Sequence, residues 1–169
     1  MYNRLVVPLD GSELAEASLP EAVEFARLAG APLHLLRVVD SSWLGRYGVY
    51  GLAVEAGAAE GILLADRAAA DAYLARMRDR LATTGIPVTI EQREGRAAGE
   101  IVAAVRTGDL LVMTTHGRTG LARFALGSVA DEVARHAAVP LLLCRVATVG
   151  RGSAVNGAAT ISAQPAMVR

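Results

Sequence analysis

Five short apolar segments alternate along the chain with longer segments in which apolar residues recur at helical spacing. Such alternation is typical of a parallel β-sheet covered by helices on both faces. The third apolar segment alternates with polar residues, whereas the first, second and fourth are almost continuously aliphatic. We therefore expect the third strand at a sheet edge and those three in the centre. The predicted strands are Arg4–Leu9, Leu33–Val39, Val88–Arg93, Leu110–Thr115 and Leu141–Val146.

Residues with capping preferences predict where the helices begin and end. Ser12 is placed to cap the first helix, and Ser18-Leu19-Pro20-Glu21 has the form of a capping box, so this helix is expected to kink or restart at Pro20. Gly85 and Pro87 terminate the second helix. This second helix is predicted over 66–83. The third is predicted over 98–106, and the fourth from Ser128 as N-cap to about His136.

The length of 169 residues suits one domain, which we place at residues 1–146. Residues 147–169 have almost no large apolar side chains and are predicted to form a largely disordered tail. The segment 41–61 is rich in Gly and Ala and longer than a usual connection, which favours a mobile lid or a partner-binding loop.

Composition and charge exclude several classes of function. The 17 basic and 17 acidic residues cancel and no stretch is strongly basic, so the pattern argues against a protein that binds nucleic acid. No apolar run is long enough for a membrane span, and no signal-peptide pattern is present. Cys144 is the only cysteine and lies in an apolar run, which favours a buried thiol in a reducing cytoplasm.

All the basic residues other than histidine are arginines. The absence of lysine excludes a Walker A loop and Schiff-base catalysis. No GxGxxG follows the first strand, so a Rossmann dinucleotide site is not indicated. A phosphate ligand must therefore be bound by backbone amides or by arginine.

Candidate chemistry lies after the fourth strand, because ligands of open parallel sheets bind at the carboxyl ends of the strands. Gly117 allows backbone amides to approach an oxyanion, and Gly127-Ser128 places a hydroxyl and free amides at a helix N-terminus. The two ends of this loop are thus suited to one polyphosphate.

The sequence resembles the universal stress protein family over residues 1–146. The resemblance rests on five motifs, which are specific in combination and in this order: Val7-Pro8-Leu9-Asp10-Gly11-Ser12, Val38-Val39-Asp40, Thr115-His116-Gly117-Arg118-Thr119-Gly120, Leu126-Gly127-Ser128-Val129-Ala130-Asp131 and Val139-Pro140-Leu141-Leu142. It implies a three-layer, doubly wound α/β fold like that of the adenine nucleotide alpha hydrolases, with five parallel strands in the order 3-2-1-4-5.

The resemblance also implies an ATP site. Family members that bind nucleotides have Gly-x2-Gly-x9-Gly-Ser, and here the spacing is kept while Thr114 replaces the first glycine. By position, Asp10 and Val38 are expected at the adenine end, and Pro8 and Met113 along the cleft. Ribose and phosphates, with Mg²⁺ held through the phosphates, are expected at Thr114, Gly117, Gly127, Ser128 and Val129.

The family suggests a cytoplasmic stress-response protein that binds ATP as a sensing module with little or no hydrolysis. One alternative is a dimeric interaction protein of the same fold that binds no nucleotide, which Thr114 favours. Another is a hydrolase using His116 and Asp10, although His116 can simply shape the glycine turn and Asp10 can cap it. Arg118 and Arg123 can reach phosphates or solvate the loop. We expect a homodimer formed through the apolar edge strand 141–146, as in the family.

Overall fold

The computed structural model describes residues 1–42, 56–115, 127–145 and 160–162. Within these ranges the strands are β1 (Arg4–Pro8), β2 (Leu33–Val39), β3 (Val88–Glu94), β4 (Asp109–Thr115), β5 (Leu141–Arg145) and β6 (Thr160–Ser162). The helices are α1 (Glu13–Glu16), α2 (Leu19–Ala29), α3 (Ala56–Leu81), α4 (Ala97–Ala104) and α5 (Ser128–His136), and a 3-10 turn (Ala82–Thr84) follows α3.

The strands form one sheet in the order β3-β2-β1-β4-β5-β6. The first five are parallel, which confirms the predicted order 3-2-1-4-5. The edge position of β3 and the central positions of β1, β2 and β4 are confirmed as well. The strand order reverses between β1 and β4. The segments that follow these two strands therefore cross to opposite faces of the sheet.

The outer edge of β5 differs from the sequence prediction. The composition of 147–169 predicts a largely disordered tail and no strand within it, whereas Thr160–Ser162 form a short strand. This strand pairs antiparallel with β5, with Leu142 opposite Ile161. The edge that we expected a second copy of the chain to cover is thus paired with the chain's own β6.

The first helical region restarts as predicted, but through different bonds. The Ser12 hydroxyl accepts a hydrogen bond from the Ala15 amide at 3.1 Å, which confirms Ser12 as an N-cap. Ser18 makes no side-chain cap, because its hydroxyl donates instead to the Ala15 carbonyl at the end of α1. The capping-box prediction is therefore wrong in its chemistry, although α2 does begin there, with Pro20 in its first turn.

Two other helix starts differ from their predictions. Helix α3 begins at Ala56, well before the predicted Asp66, so the end of the predicted 41–61 loop is helical and residues 43–55 lie outside the described residues. The N-cap of α5 is Gly127, and Ser128 is the first helical residue, because the Gly127 carbonyl already accepts the Asp131 amide at 2.9 Å.

The sheet is packed on both faces. One face contacts α2 and α3 through a core that includes Leu35 and Leu74, and the other contacts α4 and α5 through Leu36 and Val133. Cys144 is buried, and its burial raises the pKa of the thiol to about 11, so it acts as a small apolar residue. None of the helices in the described ranges combines the length and apolarity that crossing a bilayer requires.

Candidate functional site

A cleft opens at the carboxyl ends of β1 and β4, where the strand order reverses. It encloses about 830 Å³ of empty space, counting the part that is open to solvent. Its walls come from β1, β2 and β4, from the turn before α1, and from the first turns of α4 and α5. This is the position at which open α/β sheets bind their ligands.

Asp10 follows β1 and begins a tight turn at the rim of the cleft. The amide and the hydroxyl of Ser12 both donate to Asp10 Oδ1, at 2.9 and 2.6 Å. Gly11 between them has φ +86°, a left-handed conformation that suits glycine. The turn thus fixes one carboxylate oxygen internally, and the Ser12 hydroxyl joins it to the start of α1.

Asp10 is held in its ionised form. Partial burial pushes the pKa of this carboxyl upward, but the two hydrogen bonds from Ser12 and the positive charge of Arg37 outweigh burial, so the pKa lies below its ordinary value. A carboxylate at the rim accepts hydrogen bonds from hydroxyl or amino groups and repels phosphates.

The opposite side of the cleft contains the N-terminus of α5. Gly127, Ser128 and Val129 line the cleft there. In the first turn of an α-helix the backbone N–H groups lack intrahelical acceptors, and the helix dipole favours negative charge. The cleft therefore has an acceptor at the β1 end and donors at the α5 end.

The wall between these polar ends is largely apolar. Leu36 and Val38 extend from β2 on one side, and Met113 extends from β4 on the other. Met113 is buried and Val38 is half-buried. Such surfaces suit the face of a planar, weakly polar group.

The structure brings together all but one of the residues predicted for the ATP site. Gly117 lies outside the described residues, as do His116, Arg118 and Arg123. The others line this one cleft: Pro8, Asp10, Val38, Met113, Thr114, Gly127, Ser128 and Val129.

Sequence reasoning missed several lining residues. Leu36 shares a strand face with Val38, so period-two alternation was sufficient to find it. Ala97 and Ile101 lie four positions apart on α4, but nothing local to that helix indicates that this face meets the cleft. Their placement depends on the crossover from β3 to β4, which is a property of the whole fold.

Few metal-ligating groups lie around the site among the described residues. Within the described ranges no three His, Cys, Asp or Glu side chains are grouped so that they can hold a metal ion. Asp10 is the acidic residue among those that line the cleft. A cation entering this site would need most of its ligands from a bound molecule or from water.

Comparison with known proteins gives a consistent result. The family model described as Universal stress protein family matches residues 1–145. The universal stress protein MJ0531 of Methanocaldococcus jannaschii is 33% identical over 147 residues, covering 86% of this chain and 83% of that protein.

Two solved structures share the fold. Universal stress protein UspA from Lactobacillus plantarum superposes with a TM-score of 0.69 at 27% identity, covering 84% of this chain and 97% of that one. The universal stress protein from Archaeoglobus fulgidus in complex with dAMP superposes with a TM-score of 0.56 at 20% identity, covering 84% and 97%.

Proposed function

The chain belongs to the universal stress protein family, and on that premise we propose that it binds an adenine nucleotide, ATP in the first place, as a cytoplasmic sensing module. The observation that carries the proposal is the distribution of chemistry along the cleft. An ionised Asp10 lies at one end, apolar walls in the middle, and the first turn of α5 at the other end.

Each part of an adenine nucleotide has a suitable counterpart in this arrangement. The base is planar and fits between Val38 and Met113. We assign Asp10 Oδ2 to the adenine end, as acceptor for an amino or hydroxyl group, since both bonds from Ser12 go to Oδ1. The phosphates face the amides of Gly127, Ser128 and Val129. The complex of an A. fulgidus relative with dAMP supports an adenine nucleotide in this fold.

We expect binding without significant turnover. The chain has no lysine to stabilise charge on a transferred phosphoryl group. Mg²⁺, where present, would be held through the phosphates. Occupancy of the cleft, rather than a chemical product, would then be the signal.

A homodimer through β5 is part of the proposal. Leu141 and Leu143 on this strand are only partly buried. A second β5 can pair with this edge once β6 has left it, which makes the tail strand a competitor for the same backbone groups.

Thermal unfolding with and without Mg²⁺-ATP tests nucleotide binding. A ligand at 100 times its Kd should stabilise the fold by about 2.7 kcal/mol, which is several degrees in Tm. The same measurement with ADP and AMP shows how many phosphates binding requires, and GTP shows whether the site selects adenine. Gly127→Leu should abolish the shift, because the added side chain fills the approach to the α5 amides.

Gly99→Leu is the matched control, since Gly99 is exposed on α4 and no atom lies within 4 Å of where its Cβ would be. It should keep the full ATP shift. No shift in the parent chain, after confirmation that no nucleotide co-purified, would contradict nucleotide binding and favour an interaction protein of the same fold. ATP turnover that His116→Ala abolishes would instead favour the hydrolase.

A further inference from the structure

Arg37 occupies an unusual position behind the Asp10 turn. Its neighbours Leu36 and Val38 line the cleft, so strand alternation directs Arg37 to the opposite face of the sheet. There its guanidinium carbon lies 5.2 Å from the centre of the Tyr73 ring on α3. The Arg37 side chain therefore lies outside the cleft, although the residues on either side of it line the cleft.

Two of the three guanidinium nitrogens of this half-buried arginine are buried without a hydrogen-bond partner among the described residues. Nε and Nη1 are both inaccessible to solvent, and neither has an acceptor within the described residues. By contrast, Arg93, which is half-buried like Arg37, bonds to Glu91 and Glu100. Unpaired buried donors destabilise a fold, and stacking on Tyr73 offsets only part of that cost. Hydrogen bonding therefore does not explain an arginine at this position.

The contact that remains is with the turn itself. A Cβ on Gly11 would lie 2.7 Å from Arg37 Nη1, so the guanidinium packs directly beneath the backbone of that residue. The left-handed φ of +86° favours glycine at position 11, and any larger residue there would also have to displace the Arg37 guanidinium.

Arg37 is itself held in place by α3. Tyr73 lies beneath it, and the Tyr73 hydroxyl donates to Glu16 of α1 at 3.1 Å. Burial and this bond raise the pKa of Tyr73, so the hydroxyl remains a donor. Arg80 binds the other Glu16 oxygen at 2.8 Å, and Arg76 lies 5.8 Å from the Tyr73 ring. The support beneath the turn is therefore braced by two helices.

We propose that Arg37 is a positioning residue that supports the Asp10–Ser12 turn from beneath and fixes the carboxylate presented to the ligand. For ligand affinity, this inference rests on the proposed nucleotide site. The effect of Arg37 on the position and pKa of the Asp10 carboxylate does not depend on a nucleotide. The charged and titratable groups around Arg37 are Asp10, Tyr73 and, beyond the ring, Glu16, Arg76 and Arg80.

Arg37→Met tests the proposal, because methionine keeps an unbranched chain but removes the charge. The carboxyl signal of Asp10, followed by NMR during a pH titration without nucleotide, should show a higher midpoint in the variant. ATP affinity at pH 7 should fall roughly three- to tenfold, as for a displaced ligand-positioning group, and its acid limb should move to higher pH. The Tm should change little, since removal of the unpaired Nε and Nη1 donors offsets the loss of stacking on Tyr73.

Two further variants distinguish the effect of the Arg37 charge from a non-specific effect of substituting an arginine. Arg37→Lys keeps the positive charge and should keep the Asp10 midpoint low. Arg78→Met changes an exposed arginine of α3 that pairs with Asp79, and should change neither measurement.

An unchanged Asp10 midpoint together with unchanged ATP affinity in Arg37→Met would overturn the proposal. If the parent chain binds no ATP, the proposed function fails, yet the Asp10 titration still decides whether Arg37 controls the turn. If Arg37→Met does not fold, Arg37 is a structural residue and the positioning role is rejected.

Discussion

His34 and Glu91 face each other across β2 and β3, with the imidazole Nε2 2.9 Å from the carboxylate Oε2. Because a carboxylate only accepts, we assign the proton to Nε2. Nδ1 then accepts from the Thr89 hydroxyl at 2.8 Å, a shorter contact than the 3.3 Å from the same hydroxyl to the Leu33 carbonyl. Burial first, and then the nearby positive charge of Arg4, lower the pKa of His34, and these effects exceed the opposing effects of Glu91 and Asp109. His34 is therefore a neutral histidine within the sheet.

We predict that stability declines as the pH falls below 6.5. The His34 pKa is lower in the folded chain than its ordinary 6.5, so the unfolded chain binds the proton more readily. The contribution of neutral His34 to the free energy of unfolding is complete above pH 6.5. It is lost as the pH falls toward the pKa of His34 in the folded chain. A second decline should begin below 4.5, where Glu91, whose pKa is also lowered, becomes protonated on unfolding. Urea unfolding at several pH values measures both declines.

His34→Gln should remove the first decline and leave the second. His136→Gln, which changes an exposed histidine on α5, should retain both. A His34→Gln profile that matches the parent between pH 7 and 5 would contradict this account.

The buried pair Arg4–Asp109 should matter for stability and not for binding. Asp109 is 2% exposed and accepts bonds from the Arg4 side chain, at 3.0 to 3.1 Å, and from the Arg106 amide at 2.8 Å. Asp109→Ala removes the acceptor of Arg4 Nε and of the Arg106 amide, while Arg4 Nη2 keeps its bond to the Ala104 carbonyl, and should lower the free energy of unfolding by about 3 kcal/mol. The pair lies at the amino ends of β1 and β4, so ATP affinity of the folded fraction should not change. A loss below about 0.5 kcal/mol would show that Arg4 finds solvent instead.

Thr114→Gly should strengthen ATP binding while weakening the fold. Thr114 lines the cleft at the end of β4, where the family pattern has glycine, so removing its side chain allows a ligand closer to the backbone. Glycine within a strand should cost about 0.5–1 kcal/mol. Calorimetric titration and thermal unfolding of the same sample separate the two effects. Weaker binding would mean that the Thr114 hydroxyl contacts the ligand.

Ile161→Pro should promote self-association. Proline cannot donate to the β5–β6 ladder, so the variant should release the tail strand and expose β5. Sedimentation velocity over a concentration series should show a tighter dimer than the parent forms. Ala166→Pro, beyond the strand, serves as the control. An equal dimerisation constant in all three chains would mean that β6 does not compete for this edge.

The sheet could be predicted from sequence because four of its five parallel strands are short, largely aliphatic runs, the third alternates apolar and polar residues, and segments of helical periodicity separate them. The N-cap predictions at Ser18 and Ser128 were less reliable, although both serines have side chains that can cap a helix. Ser18 donates instead to the Ala15 carbonyl, and the Gly127 carbonyl accepts the first hydrogen bond of α5. The strand at Thr160–Ser162 was missed because three residues carry no periodicity and depend on a partner edge far away in the sequence.

The cleft was predictable where motifs follow strands and unpredictable where tertiary structure supplies the wall. Asp10 and Ser128 are found from their places after β1 and at the start of α5. Arg37 has no such signal, since an arginine within a strand ordinarily indicates an exposed position. Only the packing of α3 against β2 reveals that its guanidinium is buried beneath Gly11.

The two edges of the sheet are chemically unequal. At the β3 edge, Glu91 binds Arg93, which in turn binds Glu100, and such charged side chains discourage the addition of another strand. The β5 edge is apolar and depends on three tail residues for its cover. Once β6 has left β5, growth of the sheet is thus open in one direction only. Two copies that meet through β5 leave a charged edge at each outer end, so assembly by this route closes at a symmetric pair and cannot continue into a filament.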